Sequence, residues 1–260
     1  LEEAEINAER GVIEEEWRSR NDANSRMLES ILPVIYDEYQ YEQTPIGKME
    51  VVRNFKPEVL REYYKKWYRP DQQGIVIVGD FDVDEMEAKV KKLFGTVIMP
   101  ANAAERTYPK VSDNEKPIYA YFTDKELQYP MAMVMFKMEK IPFEMRNTME
   151  GYMQTSIVEN LVSTMINNRL NDFSKKAECN YVYAGVSFGD FLVSKTKAAL
   201  DITIIAKDNV HKAYTDALKI VAQACKTGFM ESELVRARDE MLANYEKAYN
   251  ERNNTKTENL

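Results

Sequence analysis

The sequence predicts an α+β fold: two-layer α/β units in tandem, with mostly antiparallel sheets covered by helices. Three observations predict it. The 260 residues exceed the usual size of one domain, so two units are expected. Segments with apolar residues at helical spacing alternate with short runs at period two. Residues 99–116 are rich in Pro, Ala, Asn and Asp and mark the boundary, giving units over 1–105 and 106–260.

In the first unit, residues 2–27 are charged and lack Pro, and Ile6, Arg10, Ile13 and Trp17 recur at helical spacing. One long helix is expected there. Residues 31–54, holding Pro33, Pro45 and Gly47, predict a packed surface loop with its turn at Thr44-Pro-Ile-Gly47. Pro57 suits the first turn of a helix carrying Leu60, Tyr63, Tyr64 and Trp67 and ending before Pro70. The apolar run at 74–78 predicts a strand buried on both faces. Asp82 and Glu85 form a capping pair for a helix with Met86, Val90 and Leu93 inward, stopped at Gly95.

In the second unit, residues 118–122 and 131–138 read as strands, and 147–173 as a long helix with Ile157, Leu161, Val162, Met165 and Leu170 on one face. Residues 181–188 and 200–205 alternate as a half-buried antiparallel sheet does. A helix over 208–226 turns Val210, Ala213, Ala217, Val221 and Ala224 inward and ends at Gly228. A last charged helix starts at Glu231.

Composition narrows the function. A net charge of −8 opposes a nucleic-acid partner, because phosphate binding needs clustered Lys and Arg. No apolar run approaches the length of a membrane span. Cys179 and Cys225 are too few for a disulfide framework and read as two buried thiols. The 14 methionines read as adaptable core packing, with no cofactor role. The single histidine, His211, reads as a surface residue at a helix start.

Only the opening helix carries a plausible catalytic constellation. Glu9 and Glu16 stand seven residues apart, so at about 100° per residue they project within roughly 20° of each other, two turns apart. A Glu-rich helix is, on spacing alone, usually a solvated face.

The segment Glu9-Arg-Gly-Val-Ile-Glu-Glu-Glu16 resembles the distal-glutamate helix of the insulinase/pitrilysin family of zinc metallopeptidases, whose inverted motif is H-x-x-E-H. The run Tyr64-Lys-Lys-Trp-Tyr-Arg-Pro-Asp71, residues 75–80, the turn at Thr44 and Asn167-Asn-Arg-Leu170 are similar to further parts of that family. The resemblance implies that Glu16 is the third zinc ligand and Glu9 a supporting carboxylate behind it. It also implies that 1–105 is the C-terminal half of a catalytic domain and 106–260 a second, non-catalytic metallopeptidase-like domain. No H-x-x-E-H occurs in the chain. Three protein ligands and an open position are needed to hold a catalytic ion. The chain is therefore expected to be an internal piece, free of Zn2+ and inactive alone, with its first domain incompletely covered.

The expected activity of the whole protein is zinc-dependent endopeptidase action on peptide substrates, captured in part by adding a strand to a sheet edge. The alternative is a catalytically dead member acting as scaffold or partner subunit, and a homodimer would also mask exposed apolar surface. The resemblance favours a periplasmic or cell-envelope location. Laying Glu3 on Glu231 also matches Glu5 with Glu233, Ile6 with Leu234, Arg10 with Arg238 and Ile13 with Met241. In that register Glu9 falls on Ala237 and Glu16 on Asn244, as expected of a degenerate second copy.

Overall fold

A computed structural model describes residues 1–254 and residue 256. The chain divides into two compact units: 1–32 with 43–108, and 33–42 with 109 onward. Each is mixed or helical in its own way.

Among the described residues, the first unit is all helix. α1 (Glu3–Ser19) ends at Arg20, and α2 (Ala23–Ile35) begins at once. The single long helix expected here is two, because the Asp22 side chain accepts from Ser25 N at 2.8 Å and starts the second. α2 then runs through Pro33 into the expected loop, and α3 (Met49–Asn54) occupies its far end. α4 (Pro57–Trp67) starts on its proline. α5 (Val83–Phe94) is capped by Asp82, which accepts from Glu85 N at 2.9 Å, and ends at Gly95.

Residues 74–78 do not form the buried strand that their composition suggests. Val76 and Val78 are more than four-fifths exposed. A strand needs a neighbour to take its N–H and C=O groups. The first unit offers none among the described residues. Leu93 of α5 is likewise exposed rather than inward.

The second unit is a two-layer α/β structure. β1 (Met131–Glu139), β2 (Tyr181–Asp190) and β3 (Lys197–Ala206) form an antiparallel sheet in the order β1-β3-β2. α6 (Met149–Tyr152) passes through a π-helical stretch, Met153–Val158, into α7 (Glu159–Ser174). α8 (Val210–Thr227) ends at Gly228, whose φ of +70° favours glycine, and α9 (Glu231–Glu251) follows. Residues 118–122 are not the strand expected of them, and Tyr119 and Tyr121 stand exposed.

One face of the sheet meets the helices. Val186, Ile202, Ile204 and Ala206 pack with Ile166 and Leu170 of α7 and with Ala213, Ala217, Val221 and Ala224 of α8. The small inward residues of α8 let its backbone lie close to the strands. Cys179 joins this core, whereas Cys225 is exposed, correcting the expectation of two buried thiols. The methionines are also less internal than expected: Met131, Met133, Met149, Met153 and Met230 are exposed.

Residues 33–42 pack within the second unit, which periodicity did not reveal. Tyr36 is 2% exposed, its ring lies 5.4 Å from that of Phe191, and its hydroxyl donates to Phe191 O at 2.5 Å. Burial pushes its pKa up to about 12. The Tyr41 hydroxyl donates to Pro109 O, and the Glu38 carboxylate accepts from Ser112 N.

Candidate functional site

α1 has one packed ridge and one bare one. Ile6 is buried, and Arg10 fastens the helix to α3, donating from Nη2 to Phe55 O at 2.6 Å and from Nη1 to Val52 O. The Arg10 guanidinium also covers the Phe55 ring at 3.9 Å. The line of Ile6, Arg10, Ile13 and Trp17 is thus the inner seam that spacing suggests.

Glu9 and Glu16 run beside that seam, about 80° around the helix and about 10 Å apart along its axis. Glu9 is exposed and has no hydrogen bond or ion pair among the described residues. Glu16 is paired with Arg20 Nη2 at 2.9 Å, and its side chain is 41% exposed. The intervening carboxylates are otherwise occupied. Glu14 binds Arg53, whose hydrogen bond holds its carboxyl below the usual range, and Glu15 binds Arg18. A ligand arriving on this side meets one unengaged carboxylate and one held only by an exposed arginine of its own helix.

Just beyond Glu16 the first unit has a cavity of about 190 Å3 lined by Trp17, Arg20, Leu28, Glu29, Thr44 and Ile46 among others. Trp17 Nε1 donates to Glu29 at 3.1 Å, fixing the indole. The Thr44 turn closes with Gly47 N donating to Thr44 O at 2.9 Å, and Gly47 adopts φ +77°.

α9 provides the comparison within the chain. Aligned as the sequence suggests, both helices begin at the matched residues Glu3 and Glu231. Both fold a glutamate back onto the preceding backbone N–H: Glu5 onto Glu2 N at 3.1 Å, and Glu233 onto Met230 N at 2.7 Å. In α9, which packs on α7, the position matching Glu9 is closed, with Ala237 1% exposed, while Asn244, matching Glu16, is exposed. A bidentate pair joins the two helices, Arg169 donating to Glu233 at 2.6 and 2.7 Å. That pairing pushes the Glu233 carboxyl down to about 2.

Among the described residues, no group of three or more His, Cys, Asp or Glu side chains is placed to hold a metal ion. His211 is exposed on α8.

The second unit supplies two features that sequence reasoning missed. Asn167 of α7 donates from Nδ2 to Val186 O at 3.0 Å and accepts from Val186 N at 2.7 Å. It thereby occupies the outer backbone groups of β2 much as another strand would. The other is Asp201, in mid-strand of β3, with a buried Oδ1 that has no hydrogen-bond partner. Burial pushes its pKa up to about 6.

A model of the peptidase M16 inactive domain matches residues 54–241. The chain belongs to the peptidase M16 family. The insulinase/pitrilysin resemblance read from α1 and its neighbours is to this family. The chain is 26% identical over 237 residues to the probable zinc protease PqqL of Escherichia coli, covering 90% of this chain and 25% of that protein. It is 24% identical over 258 residues to a zinc protease PQQL-like protein of Arabidopsis thaliana, covering 98% of this chain and 24% of that one. In fold it is similar to the crystal structure of the periplasmic protease PqqL from Escherichia coli, with TM-score 0.76, 23% identity, and 98% and 28% of the two chains covered. Similarity extends to pitrilysin at TM-score 0.61 and 16% identity, over 89% and 25% of the two chains. The chain thus spans about a quarter of the length of these M16 relatives. No helix of the described residues is long and apolar enough to cross a membrane.

Proposed function

We propose that this chain is part of a zinc-dependent endopeptidase, to which α1 contributes Glu16 as a metal ligand and Glu9 as the carboxylate supporting that shell. Residues 1–105 are the C-terminal half of the catalytic domain, and 106–260 are its non-catalytic companion, forming wall and peptide-binding surface. One observation carries the reading. At the position where α9 buries Ala237, α1 leaves Glu9 exposed, and Glu16 follows it two turns on along the same ridge. A carboxylate pair held on a rigid helix, without competing buried partners, suits completion of an ion's coordination by ligands from outside this chain.

The zinc-protease names of M16 relatives support the class of activity, and the periplasmic relative supports a cell-envelope location. Peptide substrates would be extended segments that add to a sheet edge. Asn167 blocks the edge of β2 at Val186, so β1 is the edge offered. The 260-residue chain alone hydrolyses no peptide in this reading. In the full-length protein, Glu16→Gln should lower bound zinc and abolish hydrolysis together, with Glu9→Gln weakening both less. Unchanged metal content and unchanged turnover in Glu16→Gln would remove the proposal.

The inactive-domain match favours one second reading: a non-catalytic M16 subunit that acts as scaffold or partner. A full-length sequence without an intact H-x-x-E-H would decide for it.

A further inference from the structure

The sheet of the second unit has an uncovered face. On β1 and β3, and on β2 from Tyr183 onward, side chains of odd-numbered residues point away from α7 and α8, opposite the core residues Val186, Ile202 and Ile204; a register shift turns Tyr181 into the core instead. At one end this face is closed, with Lys197 and Ala199 buried. At the other it is open, presenting Met131 and Met133 of β1, Tyr183 of β2 and Ile205 of β3, the first three each more than two-fifths exposed. Asp201 lies between the two ends, across from Met135 on one side and Ser187 on the other.

An unpaired carboxylate on an apolar plate is costly, since its Oδ1 is shielded from water and gains no hydrogen bond in return. Neither lysine of this face relieves it. Lys137 Nζ donates to Ser112 O at 2.8 Å and lies over the Phe191 ring, while Lys197 Nζ is held by Asp113 and Glu139. The face therefore offers adaptable apolar surface around one uncompensated negative charge. Methionines suit it to partners of varied shape, and the charge selects for a cation.

We propose that this open face docks a polypeptide segment that sets a lysine or arginine between apolar residues, with the cation settling on Asp201. A partner of that kind satisfies both halves of the surface, covering the methionines and Tyr183 while supplying the missing charge. Only the identity of the ligand as polypeptide rests on the peptidase reading. The surface itself involves neither α1 nor a metal.

The test uses this chain without zinc, so its outcome is independent of Glu16. Two fluorescein-labelled peptides are compared by anisotropy: a short valine-threonine peptide with one central lysine, and its twin with norleucine at that position. The lysine peptide should bind at least about tenfold more tightly. Asp201→Asn, checked for folding by circular dichroism, should erase the preference. Ser187→Lys, which supplies a cation from the facing strand, should erase it too. Carbodiimide cross-linking should join the peptide lysine to Asp201. Equal affinity for the two peptides, or a preference that survives both substitutions, would overturn the proposal. So would a dimer in sedimentation equilibrium that dissociates on Asp201→Asn, since the face would then serve a second copy.

Discussion

Replacing Asp201 by Asn should stabilise the second unit, although it deletes a charged residue from mid-strand. Burial raises the Asp201 pKa from 3.8 to about 6, and no other cause contributes comparably. A raised folded-state pKa means that the native state binds the proton more tightly than the unfolded chain. Stability from this group is then full below about pH 4 and is lost as pH rises through about 6. Two pKa units correspond to about 3 kcal/mol at ~1.4 kcal/mol per unit, and residual solvent access at the site reduces this to about 1–2 kcal/mol. Asn has the same shape and never ionises, so it escapes the penalty. Urea unfolding followed by circular dichroism should give a variant more stable by about 1–2 kcal/mol at neutral pH, with the difference vanishing near pH 4. A variant equal to the parent at neutral pH, or a difference independent of pH, would refute the reasoning that an uncompensated carboxylate sits there.

Three further outcomes follow from contacts on the same helices and strands. Glu233→Gln should cost about 1–3 kcal/mol by breaking the bidentate pair with Arg169. Because that pairing lowers the Glu233 pKa to about 2, its contribution should be present above about pH 4.5 and fade as pH falls toward 2, which acid titration of wild type against variant would display. Ala237→Glu should cost about 3 kcal/mol or more by forcing a charge into the α7–α9 seam, whereas Glu9→Ala should shift stability by no more than about 0.5 kcal/mol; urea midpoints of the two variants check the contrast. Asn167→Ala should cost about 1–3 kcal/mol and expose the edge of β2, raising thioflavin-positive aggregation on gentle heating.

Local chemistry was the legible part. Pro57, Asp82 and Gly228 announced their helix ends because caps act over three or four residues, and the alanine stripe of α8 announced its buried face. The break at Asp22 was equally local and was hidden by the continuous charge pattern around it. The strands expected at 74–78 and 118–122 failed for a different reason. Their apolar character states a capacity to pair, but pairing depends on a partner elsewhere, which no local pattern encodes. At the site, the common ridge of Glu9 and Glu16 followed from helix geometry. Arg20, which holds Glu16, could have been read from its i+4 spacing. Asp201 carried a signal as well: an acidic residue amid Leu200, Ile202 and Ile204 in an alternating strand points to the face opposite the core.

The chain visits the second unit twice, first with residues 33–42 and again from 109 onward. No single cleavage can therefore release that unit whole. A recombinant piece starting near residue 109 would lack Tyr36 and Tyr41, leaving Phe191 without its neighbouring ring and the Phe191 and Pro109 carbonyls without their tyrosine donors. Dissection of this protein calls for covalent reattachment of that short peptide, or for cuts that keep both stretches in one product.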